Sequence, residues 1–149
     1  MTKNIVDIYT KVVKGYKNGD FRSVVSFCEK NDTCKKDNSL KKNMLMHWSY
    51  KKIAMFYEKG KKYKKAYVFW QKAYDFALDS SLKIKAAHKM LALVDKMGLC
   101  VTGKAQEIVK ISVLLHNEYE RLGNKESVLR VSKLQDAAQK ILAKSKYVH

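Results

Sequence analysis

Apolar residues recur along most of the chain at spacings of three and four positions, which is the period of an amphipathic helix. Near the N-terminus, for example, Ile5, Ile8, Val12 and Tyr16 fall on one helical face. Proline is absent, and β-branched residues do not form the alternating runs that strands need. The pattern therefore predicts an all-α fold.

Seven helices are predicted, separated by glycine, asparagine or short polar segments that tolerate helix ends. Asp20, Ser39, the segment 79–81 and Thr102 are the expected N-caps, because their side chains can accept a hydrogen bond from a free backbone N–H group. The most polar segment, 31–38, is predicted to be a loop. The helices are expected at about 3–17, 21–30, 40–59, 62–78, 82–97, 104–122 and 125–144.

The length of 149 residues suits a single domain covering residues 1–149. Apolar runs reach only about five residues, far below the roughly 20 that a membrane-spanning helix needs. The first residues lack the apolar core of a signal peptide, so the expected location is the cytoplasm. The polar outer positions of the last helix favour a complete domain.

The three cysteines, Cys28, Cys34 and Cys100, are expected to be reduced side chains that pack in a core. Cys28 and Cys34 lie six positions apart across a predicted helix end and could approach each other, although a disulfide is the less favoured interpretation. With His47 they form a series too loosely spaced for the paired ligands of a structural zinc site. No metal or other cofactor is predicted.

The segment from His47 to Leu78 reads as two helices joined by a turn at Gly60. Small residues at a helix crossing let two backbones approach, and aromatic side chains fill the space beside them. The residues that carry this pattern are Ala54 and Tyr57 on the first helix and Tyr63, Ala66, Trp70 and Ala73 on the second.

This order resembles a tetratricopeptide repeat, a helix–turn–helix unit that stacks into solenoids. The resemblance is specific over 47–78, while about 3–30 and 104–144 resemble the repeat in a degenerate form. It implies antiparallel helices stacked as hairpins in a right-handed solenoid, with the last helix as a cap. It also implies a protein-binding scaffold, in which the first helix of each hairpin lines a groove.

The formal charge of +17 comes almost wholly from lysine, since only three of the 31 basic residues are arginine. Between Lys30 and Lys72 there are thirteen lysines and three acidic residues. This concentration has two explanations, a functional basic surface or a compositional bias on a solvated rim. Aromatic residues are also more numerous here than one hairpin can bury, so Trp48, Tyr67 and Tyr74 are predicted ligand-facing side chains.

The leading hypothesis is a non-enzymatic interaction module that binds an acidic peptide or partner protein through a lysine- and aromatic-rich groove. Some members of this family clamp a carboxylate-bearing tail, and Lys51 and Lys52 of one helix with Lys85 and Lys89 of another could approximate that cradle. No asparagine accompanies Lys51, so an acidic partner is predicted without that particular clamp. The predicted partner-binding residues are Trp48, Lys51, Lys52, Met55, Lys59, Lys62, Lys85, His88 and Lys89.

Two other kinds of partner are left open. The lysines of 59–65 and 35–42 could contact phosphates in sequence-tolerant nucleic-acid binding, with nearby aromatics stacking on bases. An anionic membrane surface is the least favoured, because no amphipathic helix with exposed bulky apolar residues is evident. An enzyme is not expected, since the chain has neither a phosphate-binding loop nor a nucleophile elbow.

Overall fold

The computed structural model of the chain describes residues 5–37 and 39–146. All regular structure in that part of the chain is helical. It contains eight α-helices: α1 Ile5–Lys17, α2 Phe21–Lys30, α3 Asp32–Lys36, α4 Leu40–Lys59, α5 Tyr63–Asp75, α6 Ser80–Val94, α7 Val101–Arg121 and α8 Lys125–Lys146. The all-α prediction is confirmed, and none of these helices is long and apolar enough to cross a membrane.

Seven of the helices correspond to predicted ones, but α3 was not predicted. It occupies the segment that the sequence marked as a loop, and Asn38 at the end of that segment lies outside the described residues. The segment is short and has no apolar stripe, so periodicity could not reveal it. The Asn31 carboxamide begins the helix by accepting a hydrogen bond of 3.1 Å from the Cys34 backbone N–H.

Three of the predicted N-caps are confirmed. The side chains of Asp20, Ser39 and Asp79 accept from the N–H groups of the third residue beyond them, at 3.3, 3.3 and 2.8 Å. Thr102 is not a cap, because α7 begins at Val101 and the Cys100 thiol is the N-cap side chain.

The helices cluster into two compact units, one ending at Leu78 and the other beginning at Asp79. In the first unit α4 packs on α5, while α2 contacts α1, α3 and α4. In the second, α7 packs on both α6 and α8. The single-domain organisation, the right-handed solenoid and the capping role of the last helix stay predictions.

The α4–α5 hairpin has small residues at its core. Ala54, Ala66 and Ala73 have no exposed surface, and Trp70 beside them is almost fully buried. The Trp70 indole N–H donates a hydrogen bond of 2.5 Å to Glu58, which joins the two helices near their connection. The chain reverses at Gly60 and Lys61, and it is Lys61 that adopts a positive φ of 57°.

Candidate anion-binding site

The predicted partner-binding residues are divided between the two units. In the first unit, Trp48, Lys51, Lys52, Met55 and Lys59 follow one face of α4 at helical spacing. Lys51 Nζ lies 4.6 Å from the centroid of the Trp48 indole ring, and the last three side chains are exposed. The sixth first-unit residue, Lys62, is an exposed N-cap of α5.

The other three predicted residues, Lys85, His88 and Lys89, lie on α6 in the second unit. Lys85 and Lys89 are exposed. His88 Nε2 is 2.8 Å from the Tyr119 hydroxyl oxygen. Partial burial lowers the pKa of the His88 imidazole.

The prediction that Tyr67 and Tyr74 face a ligand is wrong. Only 7% of Tyr67 and 8% of Tyr74 is exposed. Both lie one position after a buried alanine, because α5 buries a face wide enough to include these flanking positions. Trp48 is half-buried and remains accessible.

A cavity of about 650 Å³ lies in the first unit, where α3 ends, α4 begins and α5 ends. Three lysines and two aspartates contribute to its wall, so its formal charge is positive. The lining residues are Lys35, Lys36, Asp37, Lys42, Asn43, Asp75, Phe76, Ala77 and Leu78.

Lys42 is the unusual residue in this cavity, since only 6% of it is exposed. Lysine is almost never fully buried unless its charge is paired. Within the described residues, its ammonium donates one hydrogen bond of 3.3 Å, to the Lys35 carbonyl oxygen, and has no carboxylate within ion-pair distance. The ammonium also lies 5.2 Å from the centroid of the Phe76 ring.

The first turn of α4 adds to the positive potential. Ser39 caps this 20-residue helix, and the Asp37 carboxylate holds Ser39 by accepting from its backbone N–H at 3.0 Å and its hydroxyl at 3.1 Å. The N-terminus of a helix carries a partial positive charge and free N–H groups. A buried ammonium and a helix N-terminus thus meet at one cavity, and this combination favours an anionic group.

A disulfide bond holds α3 beside the cavity. Cys28 of α2 is bonded to Cys34 of α3, with the two Cα atoms 5.1 Å apart. The expectation of reduced cysteines is therefore wrong for this pair, because the sharp turn at Asn31 folds α3 back onto α2. The bond fixes the helix that carries Lys35 and Lys36.

The opposite wall is fixed by aromatic packing. Phe76 stacks on Tyr50 of α4, with ring centroids 5.6 Å apart. The Tyr50 hydroxyl donates to the Glu29 carboxylate of α2. Burial, and then the neighbouring Glu29 carboxylate, raise the pKa of Tyr50, which stays protonated as the donor.

A second feature of the first unit lies near the α4–α5 turn. Phe56 is 63% exposed, and the Arg22 guanidinium carbon is 5.1 Å from the ring centroids of both Phe56 and Tyr57. The five neighbouring lysines are all exposed: Lys59, Lys61, Lys62, Lys64 and Lys65. The turn therefore combines an open aromatic face with a dense positive surface.

Sequence reasoning named Lys35–Lys42 only as possible phosphate contacts and missed the burial of Lys42. The one available signal was the Ser39 cap, which places Lys42 in the first turn of α4. Burial could not be foreseen, since it depends on α3.

No group of three or more histidine, cysteine, aspartate or glutamate side chains in the described part of the chain is placed to hold a metal ion. Comparisons of the chain with protein-family models, curated proteins and solved structures found no match.

Proposed function

We propose that the chain is a non-enzymatic interaction module that binds an acidic peptide or an acidic segment of a partner protein. A carboxylate of the partner enters the α3–α4–α5 cavity and pairs with Lys42. The observation that carries this proposal is the buried Lys42 ammonium, which has one hydrogen bond and no carboxylate partner within the described residues.

Burial makes such a contact stronger than one at an exposed lysine. An ion pair between exposed side chains contributes at most about 1 kcal/mol, since water screens the charges. A carboxylate that reaches Lys42 meets the ammonium of a side chain that is largely buried, together with the N-terminus of α4. Lys35 and Lys36 are exposed at the entrance and attract acidic segments from solution.

The cavity also has apolar walls, which favours a peptide over a free inorganic anion. Phe76, Ala77 and Leu78 contribute carbon surface beside the lysines. An acidic residue followed by an apolar one would satisfy both parts of the wall. The exposed face of α4, with Trp48 and Met55, offers further contacts to a longer segment.

The test is a fluorescence-anisotropy titration with a short labelled peptide of alternating glutamate and leucine, beside the same peptide with glutamine replacing glutamate. We expect the glutamate peptide alone to bind. Lys42→Met should weaken its binding by about tenfold or more, because a charge-assisted hydrogen bond contributes about 1.5–3 kcal/mol.

Lys17→Met is the matched control, since Lys17 is an exposed lysine on α1 of the same unit, does not line the cavity and lies off the exposed face of α4. Circular dichroism checks the fold of each variant. If Lys42→Met does not fold, the double variant Lys35→Met and Lys36→Met removes two exposed charges from the same cavity. Equal binding of the two peptides, or equal loss in the Lys17 control, would rule the proposal out.

Sequence-tolerant binding of single-stranded nucleic acid is a second candidate, favoured by the exposed Phe56 ring beside Arg22. Base stacking on an aromatic ring contributes about 1–3 kcal/mol, and the lysines at the turn can contact phosphates. We expect Phe56→Ala to weaken binding of a mixed-sequence oligonucleotide, measured by anisotropy at low salt. Absence of binding by the unmodified protein would dismiss this candidate.

The tetratricopeptide-like solenoid and the cytoplasmic location are proposals as well. The small buried residues of the α4–α5 hairpin support the solenoid. The Cys28–Cys34 disulfide disfavours the cytoplasmic location, because disulfides are rare in the cytosol. Cell fractionation combined with thiol labelling would decide the location.

A further inference from the structure

A separate cleft of about 280 Å³ lies within the second unit, among α6, α7 and α8. It shares no residue with the cavity in the first unit, so it is independent of the proposed function. Four of its eight lining residues are apolar and four are polar. The lining residues are His88, Leu91, Leu115, Tyr119, Ser127, Arg130, Val131 and Leu134.

The polar and apolar residues segregate along the helices. The short connection at residues 122–124 joins α7 to α8, and the helices run back from it side by side. Tyr119 and Ser127 lie within one turn of this connection, whereas Leu115 and Leu134 lie one or two turns further away. The end of the cleft near the connection is therefore polar, Arg130 and Val131 lie one turn further along α8, and Leu134 lies at the apolar end.

Ser127 gives the polar end a hydroxyl group. The residue is only 7% exposed, and its backbone N–H donates to the Asn124 side chain at 3.1 Å. Other serines in this unit bond their hydroxyls back to a helix carbonyl, Ser112 to Ile108 and Ser145 to Leu142. Within the described residues the Ser127 hydroxyl makes no such bond to a helix carbonyl, and because Ser127 lines the cleft a ligand can reach it.

Positive charge accompanies this hydroxyl. Ser127 lies in the first turn of α8, a 22-residue helix whose N-terminus carries a partial positive charge. Arg130 follows one turn later. Its interaction with Glu126 spans 3.9 Å between exposed side chains, and such a pair is too weak to hold the guanidinium away from a ligand.

The remaining polar side chains of the cleft add hydrogen-bonding groups and no negatively charged carboxylate. His88 Nε2 and the Tyr119 hydroxyl oxygen are 2.8 Å apart, and none of the described aspartates and glutamates lines the cleft. Leu115 and Val131, both almost fully buried, form apolar surface. An anionic group thus suits the polar end, and a small hydrocarbon group suits the other.

We propose that this cleft binds a small carboxylic acid with an apolar body, such as an arylalkanoate or a branched aliphatic acid. The carboxylate accepts hydrogen bonds from the Ser127 hydroxyl and the Arg130 guanidinium, while the body packs on the leucines and Val131. The cleft volume lies just below the usual range of pockets for drug-sized ligands, about 300–1,000 Å³, so the ligand is small.

The test is an NMR titration of the ¹⁵N-labelled full chain with 3-phenylpropionate. Two matched probes separate the contributions, since 3-phenylpropanol keeps the apolar body and acetate keeps the charge. We expect 3-phenylpropionate to bind most tightly, with amide shifts concentrated at 88–91, 115–119 and 127–134. Arg130→Gln and Ser127→Ala should each weaken binding, the former by about tenfold.

Lys133→Met serves as the control variant, because Lys133 is an exposed cation on α8 that does not line the cleft. It should bind 3-phenylpropionate as the unmodified protein does. Equally tight binding of 3-phenylpropanol, no effect of Arg130→Gln, shifts located outside these segments or no saturable binding would each overturn the proposal. Ser127→Ala removes a single oxygen atom from the first turn of α8, so the fold is expected to survive it.

Discussion

The carboxylate of Glu118, which is almost completely buried in the second unit, accepts a hydrogen bond of 2.7 Å from the hydroxyl of Ser80. Arg121 donates a further hydrogen bond of 3.1 Å to the same carboxylate. Ser80 begins α6 and Glu118 lies near the end of α7, so this contact ties two helix ends that are 38 residues apart in sequence.

Glu118→Ala is expected to lower the free energy of unfolding of the second unit by about 3 kcal/mol, because removing one member of a buried pair leaves its partners unsatisfied. Ser80→Ala should lower the same free energy of unfolding by about 1.5 kcal/mol, the contribution of one hydrogen bond to a charged group. Urea unfolding followed by circular dichroism measures both. Glu120→Gln, an exposed glutamate on the same helix, should change stability by less than about 1 kcal/mol.

The Cys28–Cys34 disulfide should stabilise the first unit by about 2 kcal/mol, because it lowers the conformational entropy of the unfolded chain. This effect grows with the length of the closed loop, and the loop here is short. Both tryptophans, Trp48 and Trp70, lie in that unit, so their fluorescence reports its unfolding alone. We expect a reducing agent to lower the urea midpoint of the fluorescence transition. Cys100→Ser should respond to reduction in the same way, and an unchanged midpoint would contradict the role assigned to the bond.

Ala66→Leu should destabilise the α4–α5 hairpin by about 1–3 kcal/mol, because Ala66 has no exposed surface and a larger side chain overpacks the crossing. Tryptophan fluorescence during urea unfolding measures the change. Val68→Leu is the control on the same helix, since Val68 is 48% exposed and has room for the larger side chain. Equal effects of the two substitutions would show that the crossing is not tightly packed.

His88 should make the stability of the second unit depend on pH. Its folded-state pKa is lowered by partial burial, so the unfolded chain, whose histidine has a pKa near 6.5, binds more protons. The stability contributed by neutral His88 is fully present above pH 6.5 and is lost as the pH falls from there through the lowered pKa. Tyr119 and Arg130 are the other titratable groups that line its cleft.

Thermal unfolding followed by circular dichroism between pH 7.5 and 5 tests this expectation. The melting temperature should fall with pH in the unmodified protein and fall less in His88→Gln. His116→Gln is the matched control, since His116 faces Glu120 at 3.8 Å on the surface of α7. If the melting temperature of His88→Gln depends on pH as that of the unmodified protein does, groups other than His88 cause the dependence.

Periodic apolar spacing was sufficient to predict the long helices, and short polar side chains marked three of their starts. Periodic spacing did not predict α3, because its five residues carry no apolar stripe. They are held in a helix by the Asn31 cap and by the disulfide. The seven helices predicted from sequence are thus those that bury a face of their own.

The candidate sites were harder to predict because their decisive residues contradict the ordinary preference of their type. Lysine normally stays in water, and nothing in the sequence around Lys42 marks it as buried. The prediction for Tyr67 and Tyr74 was wrong in the opposite direction, because these expected ligand-facing side chains are buried. The width of the buried face of α5 depends on the helices that pack against it. Burial of polar residues is decided by tertiary packing, which one sequence does not display.

The disulfide between α2 and α3 also has a consequence for limited proteolysis. Lys30 is exposed and lies between the two bonded cysteines, so cleavage after it would cut the chain inside the covalent loop. Both fragments would migrate together on a gel without reductant and separate once reductant is added. The backbone of the first unit can therefore be interrupted there while α3, with Lys35 and Lys36, remains covalently attached to α2.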